Sequence, residues 1–169
     1  RTLSTLELAR DLISVTLDEE AIWAATGQTV GDGAHPLDLD RIPRDNQTVL
    51  DLFRRGDTSG VFQFESAGMR QLLREMQPDR IEDLIAANAL YRPGPMDLIP
   101  EYNDRKHGHK EVPSLHPIVD AFTAETYGIM VYQEQVMQIV HGLGDIPLRQ
   151  AYTLIKAISK KKVDVIDSA

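Results

Sequence analysis

The chain has 169 residues, 42% of them hydrophobic, and a net charge of −8. This length suits one domain, or one domain with a tail, and the apolar content is enough for a real core. No run of residues approaches the ~20 consecutive apolar residues of a membrane span. The amphipathic, acidic start is unlike a signal peptide, and there is no cysteine to form disulfides or thiolate metal sites. We therefore expect a cytoplasmic protein without a membrane partner.

The acidic charge is unevenly distributed along the chain. Residues 1–91 contain 9 Lys and Arg against 16 Asp and Glu, a net charge of −7, whereas residues 92–162 contain 9 against 8, a net charge of +1. The overall charge argues against a free-standing nucleic-acid-binding protein, which is usually basic. The second half is where a polyanion would be tolerated, although many globular proteins vary this much.

Apolar periodicity and end signals predict a series of short helices. The first opens at Ser4-Thr5-Leu6-Glu7, which has the capping-box form, and Ser66 caps a helix that Pro78 ends. The predicted helices span about residues 4–17, 18–26, 46–55, 67–77, 81–90, 97–106, 117–122, 133–141 and 147–162. The runs 61–64 and 128–132 are each compatible with a short strand or with a helix start. The expected fold class is mainly α, with many short helices joined by specific turns and at most one or two short strands.

The last predicted helix has its apolar residues on one face and ends in positive charge. Lysines suit the carbonyl end of a helix, so this ending is consistent with the helix dipole. The apolar face comprises Leu148, Ala151, Leu154, Ile155 and Ile158, and the charged end comprises Lys160, Lys161 and Lys162.

Three segments are too particular for an ordinary helical domain. They are GDTSGVFQFES at 56–66, LYRPGPM at 90–96 and YGIMVYQEQVM at 127–137, with RKHG at 105–108 between the second and the third and the triple lysine at 160–162 after the third. In this order they resemble the fingers region of the bacterial DNA polymerase III alpha subunit, a C-family replicative polymerase. The resemblance covers residues 48–162. It implies that 1–47 connect the palm to the fingers, 48–162 are part of the fingers, and 163–169 are a tail.

The resemblance also implies a reaction and its partners. The family transfers nucleotides on a DNA primer–template, using dNTPs and Mg²⁺ ions held by palm carboxylates. Those carboxylates are expected outside this chain, which would be inactive alone and would close on the incoming nucleotide, with other replicase subunits as partners. Asp38-Leu39-Asp40 has the spacing of the family's metal motif, but its neighbouring prolines indicate a surface connector.

A triphosphate requires converging cations. The predicted nucleotide-binding residues are Arg92, Lys156, Lys160, Lys161 and Lys162. Arg92 could equally form an ion pair at a helix end, and the triple lysine could be a solvated helix terminus. Where the family commonly has two adjacent arginines this chain has Ile155 and Lys156, and Ser159 replaces the usual glycine. A lysine keeps the charge of an arginine but not its two-pronged geometry.

Further contacts to nucleotide or template are predicted for four residues: Tyr132, Gln133, Arg105 and Lys106. Tyr132 and Gln133 could instead be caps or core contacts. The nearby histidines have few carboxylate neighbours, so a metal site is not expected. Two other functions stay open: a non-catalytic interaction or scaffold domain of the same family, favoured by Ile155 and Ser159, and a fragment of an error-prone paralogue.

Overall fold

The structure, a computed structural model, describes residues 2–159. Over this range the fold is α-helical and contains no strand, which confirms the predicted class. The helices are α1 (Thr2–Thr16), α2 (Glu19–Ala25), α3 (Gln47–Arg55), α4 (Ala67–Met76), α5 (Ile81–Leu90), α6 (Ile99–Lys106), α7 (Pro117–Thr123), α8 (Gln133–Gly144) and α9 (Leu148–Ser159). Short 3₁₀ turns lie at Leu39–Arg41, Pro95–Leu98 and Ala124–Thr126. None of the helices within residues 2–159 is both long and apolar enough to cross a membrane.

The described residues divide into two compact units, with the boundary between Arg44 and Asp45. In the first, Trp23 is buried, and its indole Nε1 donates a hydrogen bond of 2.8 Å to Oε1 of Glu19. The ring of His35 meets Trp23 edge-on at a centroid distance of 5.6 Å, and its Nε2 lies 3.1 Å from Oε1 of Glu19. These contacts tie α2 to the segment that follows it. Asp38-Leu39-Asp40 spans the start of a 3₁₀ turn, and the carboxylate of Asp38 pairs with Arg41.

Local end signals define the helices of the second unit. Asn46 caps α3 by accepting from the N–H of Val49, and Ser66 caps α4 by accepting from the N–H of Met69. Gly56 ends α3 in the left-handed conformation at φ 69°. An added Cβ at Gly56 would lie 3.0 Å from Nε of Arg74 and 3.1 Å from the carbonyl oxygen of Arg70, so both the backbone angle and the limited space favour glycine here.

The core of the second unit lies between α3, α4, α5 and α6, with α4 at its centre. Leu73 and Met76 of α4 and Leu90 of α5 have no exposed surface. The other buried members are Leu50, Phe53, Phe64, Met69, Leu72, Leu84, Ala86, Ala87, Tyr102 and Ile129. Each fully buried side chain of this size stabilises the fold by about 1.5–3 kcal/mol relative to an exposed one.

Helices α7, α8 and α9 pack in sequence against one another. The buried face of α9 includes Ala151, Ile155 and Ala157. The expectation that Leu148 and Ile158 belong to this face was wrong, because these side chains are 40% and 50% exposed. The predicted lysine end of this helix, Lys160 to Lys162, lies outside the described residues.

Candidate functional site

The loop between α3 and α4, residues 56–66, coincides with the first unusual segment and is stabilised by buried side chains of its own. The hydroxyl of the fully buried Thr58 donates a hydrogen bond of 2.6 Å to the carbonyl oxygen of Phe64. Phe64 is buried against Phe53, with ring centroids 5.1 Å apart. The predicted strand or helix start at 61–64 is neither, because turn bonds and this threonine satisfy the backbone. We call residues 56–66 the α3–α4 loop.

Two arginines of α4 also stabilise the α3–α4 loop, through hydrogen bonds from their guanidinium groups. Arg70 donates through Nε to the carbonyl of Glu65 at 3.0 Å and through Nη1 to Oγ of Ser59 at 3.3 Å. Arg74 donates through Nε to the carbonyl of Arg55 at 3.0 Å. The loop is therefore anchored at both ends to the same helix and can present its exposed side chains in a fixed geometry.

The second segment forms a tight corner after α5, which we call the RPGP corner (residues 92–95). Gly94 adopts φ 100°, a backbone angle that favours glycine, and the N–H of Met96 donates to the carbonyl of Arg92 at 3.1 Å. Just before the corner, the hydroxyl of Tyr91 lies where a Cβ on Gly68 would be, only 2.0 Å from that ideal position. The RPGP corner thus adjoins the first turn of α4, where the α3–α4 loop ends, and the structure brings the first two segments together.

Arg92 is exposed at the RPGP corner. Within residues 2–159 its side chain forms no ion pair and no hydrogen bond. The alternative expected from the sequence, an ion pair at the end of α5, is therefore not formed with any described carboxylate. Its guanidinium presents five donors to solvent from a backbone that two prolines restrict.

The third segment is organised by one buried amide. Gln135 accepts from the N–H groups of Val131 and Tyr132, both at 2.8 Å, and donates to the carbonyl of Phe122 and the hydroxyl of Thr126. These bonds satisfy backbone N–H groups that a strand would pair with a neighbouring strand, so residues 128–132 form a turn at Gly128 followed by irregular chain, not a strand. Gln135 therefore fixes the chain at the entry to α8.

The two polar candidates at this entry differ in exposure. Gln133 is exposed in the first turn of α8. The hydroxyl of Tyr132 is buried and has no hydrogen-bond partner in the described part of the chain. Burial raises the pKa of Tyr132 to about 12. The phenol is thus neutral at ordinary pH and keeps an unused donor.

Arg105 and Lys106 are placed inside the fold. Arg105 pairs with Glu101 at 2.7 Å and donates through Nη1 to the carbonyl of Tyr127 at 3.0 Å, and its side chain is 12% exposed. The ammonium of Lys106 is 4% exposed and lies 2.8 Å from Oδ2 of the fully buried Asp83. Both residues hold α6 to its neighbours, and neither cation faces solvent as an open phosphate contact would require.

The rest of the predicted basic loop is also partly engaged. His107 Nε2 lies 3.1 Å from the carbonyl oxygen of Met76, and Lys110 pairs with Glu101. His109 is exposed, with Nδ1 3.9 Å from a carboxylate oxygen of Asp104. Among residues 2–159, no group of three or more histidines and carboxylates could hold a metal ion.

Lys156 is exposed on α9, and its ammonium lies 4.4 Å from the ring centroid of Tyr152. This cation–π contact leaves most of the ammonium hydrated and able to meet an anion. Lys160, Lys161 and Lys162 lie outside the described residues, so the structure does not describe how the predicted lysine cluster is arranged.

Sequence reasoning missed two features of this region. Phe62, in the α3–α4 loop, is 62% exposed, and Asp83 is buried and paired with Lys106. Phe62 and Phe64 belong to the same motif, and the sequence alone gives no reason to prefer Phe64 over Phe62 as the buried residue. The burial of Asp83 could not be predicted from the sequence, since a carboxylate in the first turn of a helix is usually solvated.

Comparison with known proteins agrees with these segments. Residues 18–169 match the family described as bacterial DNA polymerase III alpha subunit finger domain. A DNA polymerase III subunit alpha of Halalkalibacterium halodurans is 46% identical over 98% of this chain, and one of Xylella fastidiosa is 47% identical over 89%. A third, from Staphylococcus aureus, is 42% identical over 78% of the chain.

A helical domain with these motifs defines a polymerase fingers segment. The chain belongs to the bacterial DNA polymerase III alpha subunit family, within its finger domain. It spans only 12–15% of the length of the curated relatives described above.

Proposed function

We propose that this chain serves as the fingers part of a bacterial replicative DNA polymerase and helps to bind the incoming dNTP and the template strand. The proposal rests on family membership together with the exposed Arg92 at the RPGP corner. A guanidinium without a described partner, on a restricted backbone next to the α3–α4 loop, is suited to grip phosphate with two parallel hydrogen bonds. Lys156 would add a second, more mobile charge.

The chemical step belongs to other parts of the parent enzyme in this proposal. Mg²⁺ ions held by carboxylates outside this chain would supply the metal chemistry of nucleotidyl transfer. The residues described here would orient the triphosphate and neutralise part of its charge, since phosphoryl and nucleotidyl transfer depend on positioning and electrostatic stabilisation. Other replicase subunits and the primer–template would be the partners of the parent enzyme.

The test uses the full-length parent polymerase carrying Arg92→Ala, Arg92→Lys or Lys156→Ala. Loss of a charge-assisted contact of about 1.5–3 kcal/mol would lower kcat/KM for dNTP by about 10- to 150-fold. Arg92→Lys should fall between wild type and Arg92→Ala, because lysine keeps charge without the fork. Lys110→Ala is the matched control, since this exposed lysine already pairs with Glu101.

Two results would contradict the proposal. Wild-type nucleotide kinetics in both the Arg92→Ala and Lys156→Ala enzymes would place the grip elsewhere. Template-dependent primer extension by this chain alone would contradict the assignment of the metal carboxylates to other parts of the parent.

A further inference from the structure

A surface depression at the end of the α3–α4 loop is lined by Phe62, Gln63, Glu65 and Ser66. Phe62 is 62% exposed although phenylalanine is among the residues most often buried. Its neighbour Gln63 adopts φ 68°, an unusual angle for a residue with a side chain. This backbone turn directs Phe62 outward while Phe64, two residues later, is buried.

The exposed ring sits on a rigid support. Thr58 and Arg70 donate to the carbonyls of Phe64 and Glu65, which follow Phe62, and Arg70 also donates to Oγ of Ser59, which precedes it. An exposed aromatic side chain on a fixed backbone loses little conformational freedom on binding. Such a ring is a suitable stacking surface for a planar apolar face.

The charges around the depression favour a base over a phosphate at this point. The carboxylate of Glu65 repels phosphate but can accept from the amino group of a nucleobase, and the amide of Gln63 can both donate and accept. Tyr91, which Arg92 follows in the chain, touches Gly68 in the first turn of α4, the helix that the lining residue Ser66 caps.

We propose that Phe62 stacks on an unpaired base of single-stranded template DNA, with Gln63 and Glu65 facing the edge of that base. This rests on the proposed function, because it specifies which part of the fingers holds the template. The faces of bases inside a duplex are already stacked, so the occupant is a single strand or the end of a duplex. The site should tolerate any base, since every base has a face that can stack.

The test compares two labelled single strands by fluorescence anisotropy at low salt. One is oligothymidine, and the other has the same phosphates but abasic sites in its centre. Phe62→Ala should weaken binding of oligothymidine at least about five-fold and leave binding of the abasic strand unchanged, whereas Phe62→Trp should restore it. Arg92→Ala should weaken both strands alike. Ile85→Ala, which removes a 52% exposed apolar side chain from α5, is the matched control.

Photocrosslinking with 5-iodouracil in the same strand should attach to Phe62. Equal affinity of wild type and Phe62→Ala for oligothymidine, with crosslinks elsewhere, would overturn the stacking proposal and leave template binding by the fingers intact. If the wild-type chain bound neither strand at millimolar concentration, both the stacking proposal and template binding by this chain would be contradicted.

Discussion

The ammonium of Lys106 lies 2.8 Å from a carboxylate oxygen of Asp83, and neither group has appreciable contact with solvent. Asp83 also accepts from the N–H of Asp79 at 3.1 Å and from the hydroxyl of Tyr102 at 3.3 Å. Burial alone would lower the pKa of Lys106, but its bonds to Asp83 and Asp79 outweigh burial and raise it. The pair joins α5 to α6, the α-helices before and after the RPGP corner.

Breaking this pair should destabilise the second unit strongly. In Lys106→Ala the buried carboxylate of Asp83 loses its main counter-charge, which typically costs about 3–5 kcal/mol. Urea denaturation followed by circular dichroism would measure the loss. Lys110→Ala, at an exposed lysine of the same region, should leave the midpoint almost unchanged. An unchanged midpoint for Lys106→Ala would show that Arg80, 3.6 Å from Asp83, can replace the lysine.

Replacing Tyr132 by phenylalanine should stabilise the protein. The buried hydroxyl has no described partner, and an unsatisfied buried polar group costs about 1–3 kcal/mol. Because burial raises the pKa of Tyr132 to about 12, its neutral form contributes stability that is present below pH ~10 and lost as pH rises through ~12. Absorbance titration at alkaline pH should therefore show one late-ionising tyrosine fewer in Tyr132→Phe. A less stable variant would indicate that the hydroxyl has a partner.

Acid should weaken the turn that leads into α7. The pKa of Asp120 is lowered, chiefly by the hydroxyl of Ser114 and then by the N–H of Leu115. A carboxyl whose pKa is lower in the folded state stabilises the fold above its ordinary value of ~3.9, and this is lost as pH falls through the folded value. Melting temperatures between pH ~6 and ~3 should fall less steeply for Asp120→Asn than for wild type. Parallel curves for the two proteins would contradict this.

Ile155 and Ile158 lie on the same helix, α9, but differ in burial, so their alanine variants can be compared directly. Ile155 is 8% exposed and Ile158 is 50% exposed, although both fit the apolar stripe. Ile155→Ala should cost about 2–4 kcal/mol, whereas Ile158→Ala should cost less than about 1 kcal/mol. Melting curves of the two variants would measure this difference. Equal losses would mean that Ile158 is covered in solution.

Sequence signals predicted the local structure well and the long-range contacts poorly. Most helix ends follow from nearby residues, such as the cap Ser66 and the terminator Pro78, so they could be read directly. The segments 61–64 and 128–132 could not, because the side chains of Thr58 and Gln135 satisfy their backbones. Contacts between residues far apart in the chain leave no periodic trace in a single sequence.

The candidate site shows the same limit. The motif order identified the family, and Arg92 is exposed as a phosphate contact requires. Arg105 and Lys106 have the same charge and motif context, yet their side chains are largely shielded from solvent in ion pairs. Charge in a sequence does not reveal the partner, and here the partner of Lys106 lies on another helix.

The contact between Gly68 and Tyr91 gives a direct test of how α4 positions the RPGP corner. A Cβ at residue 68 would lie 2.0 Å from the hydroxyl oxygen and 3.0 Å from Cζ of Tyr91, so Gly68→Ala must displace the ring. Overpacking of this kind typically costs about 1–3 kcal/mol. Because Arg92 follows Tyr91 directly, the displacement should also raise the apparent KM for dNTP in the full-length enzyme. Tyr91→Phe removes the closest atom, so the double variant should recover most of the stability and the nucleotide affinity.

The matched control is Gly142→Ala in α8. Its Cβ would also be overpacked, 2.7 Å from Cγ2 of Ile118, but the contact lies between α7 and α8. It should therefore lower the melting temperature without a specific change in nucleotide KM. If Gly68→Ala lost stability to a similar extent but kept wild-type nucleotide kinetics, the RPGP corner would not depend on this contact for its position. A loss of nucleotide affinity that Tyr91→Phe reverses would show that it does.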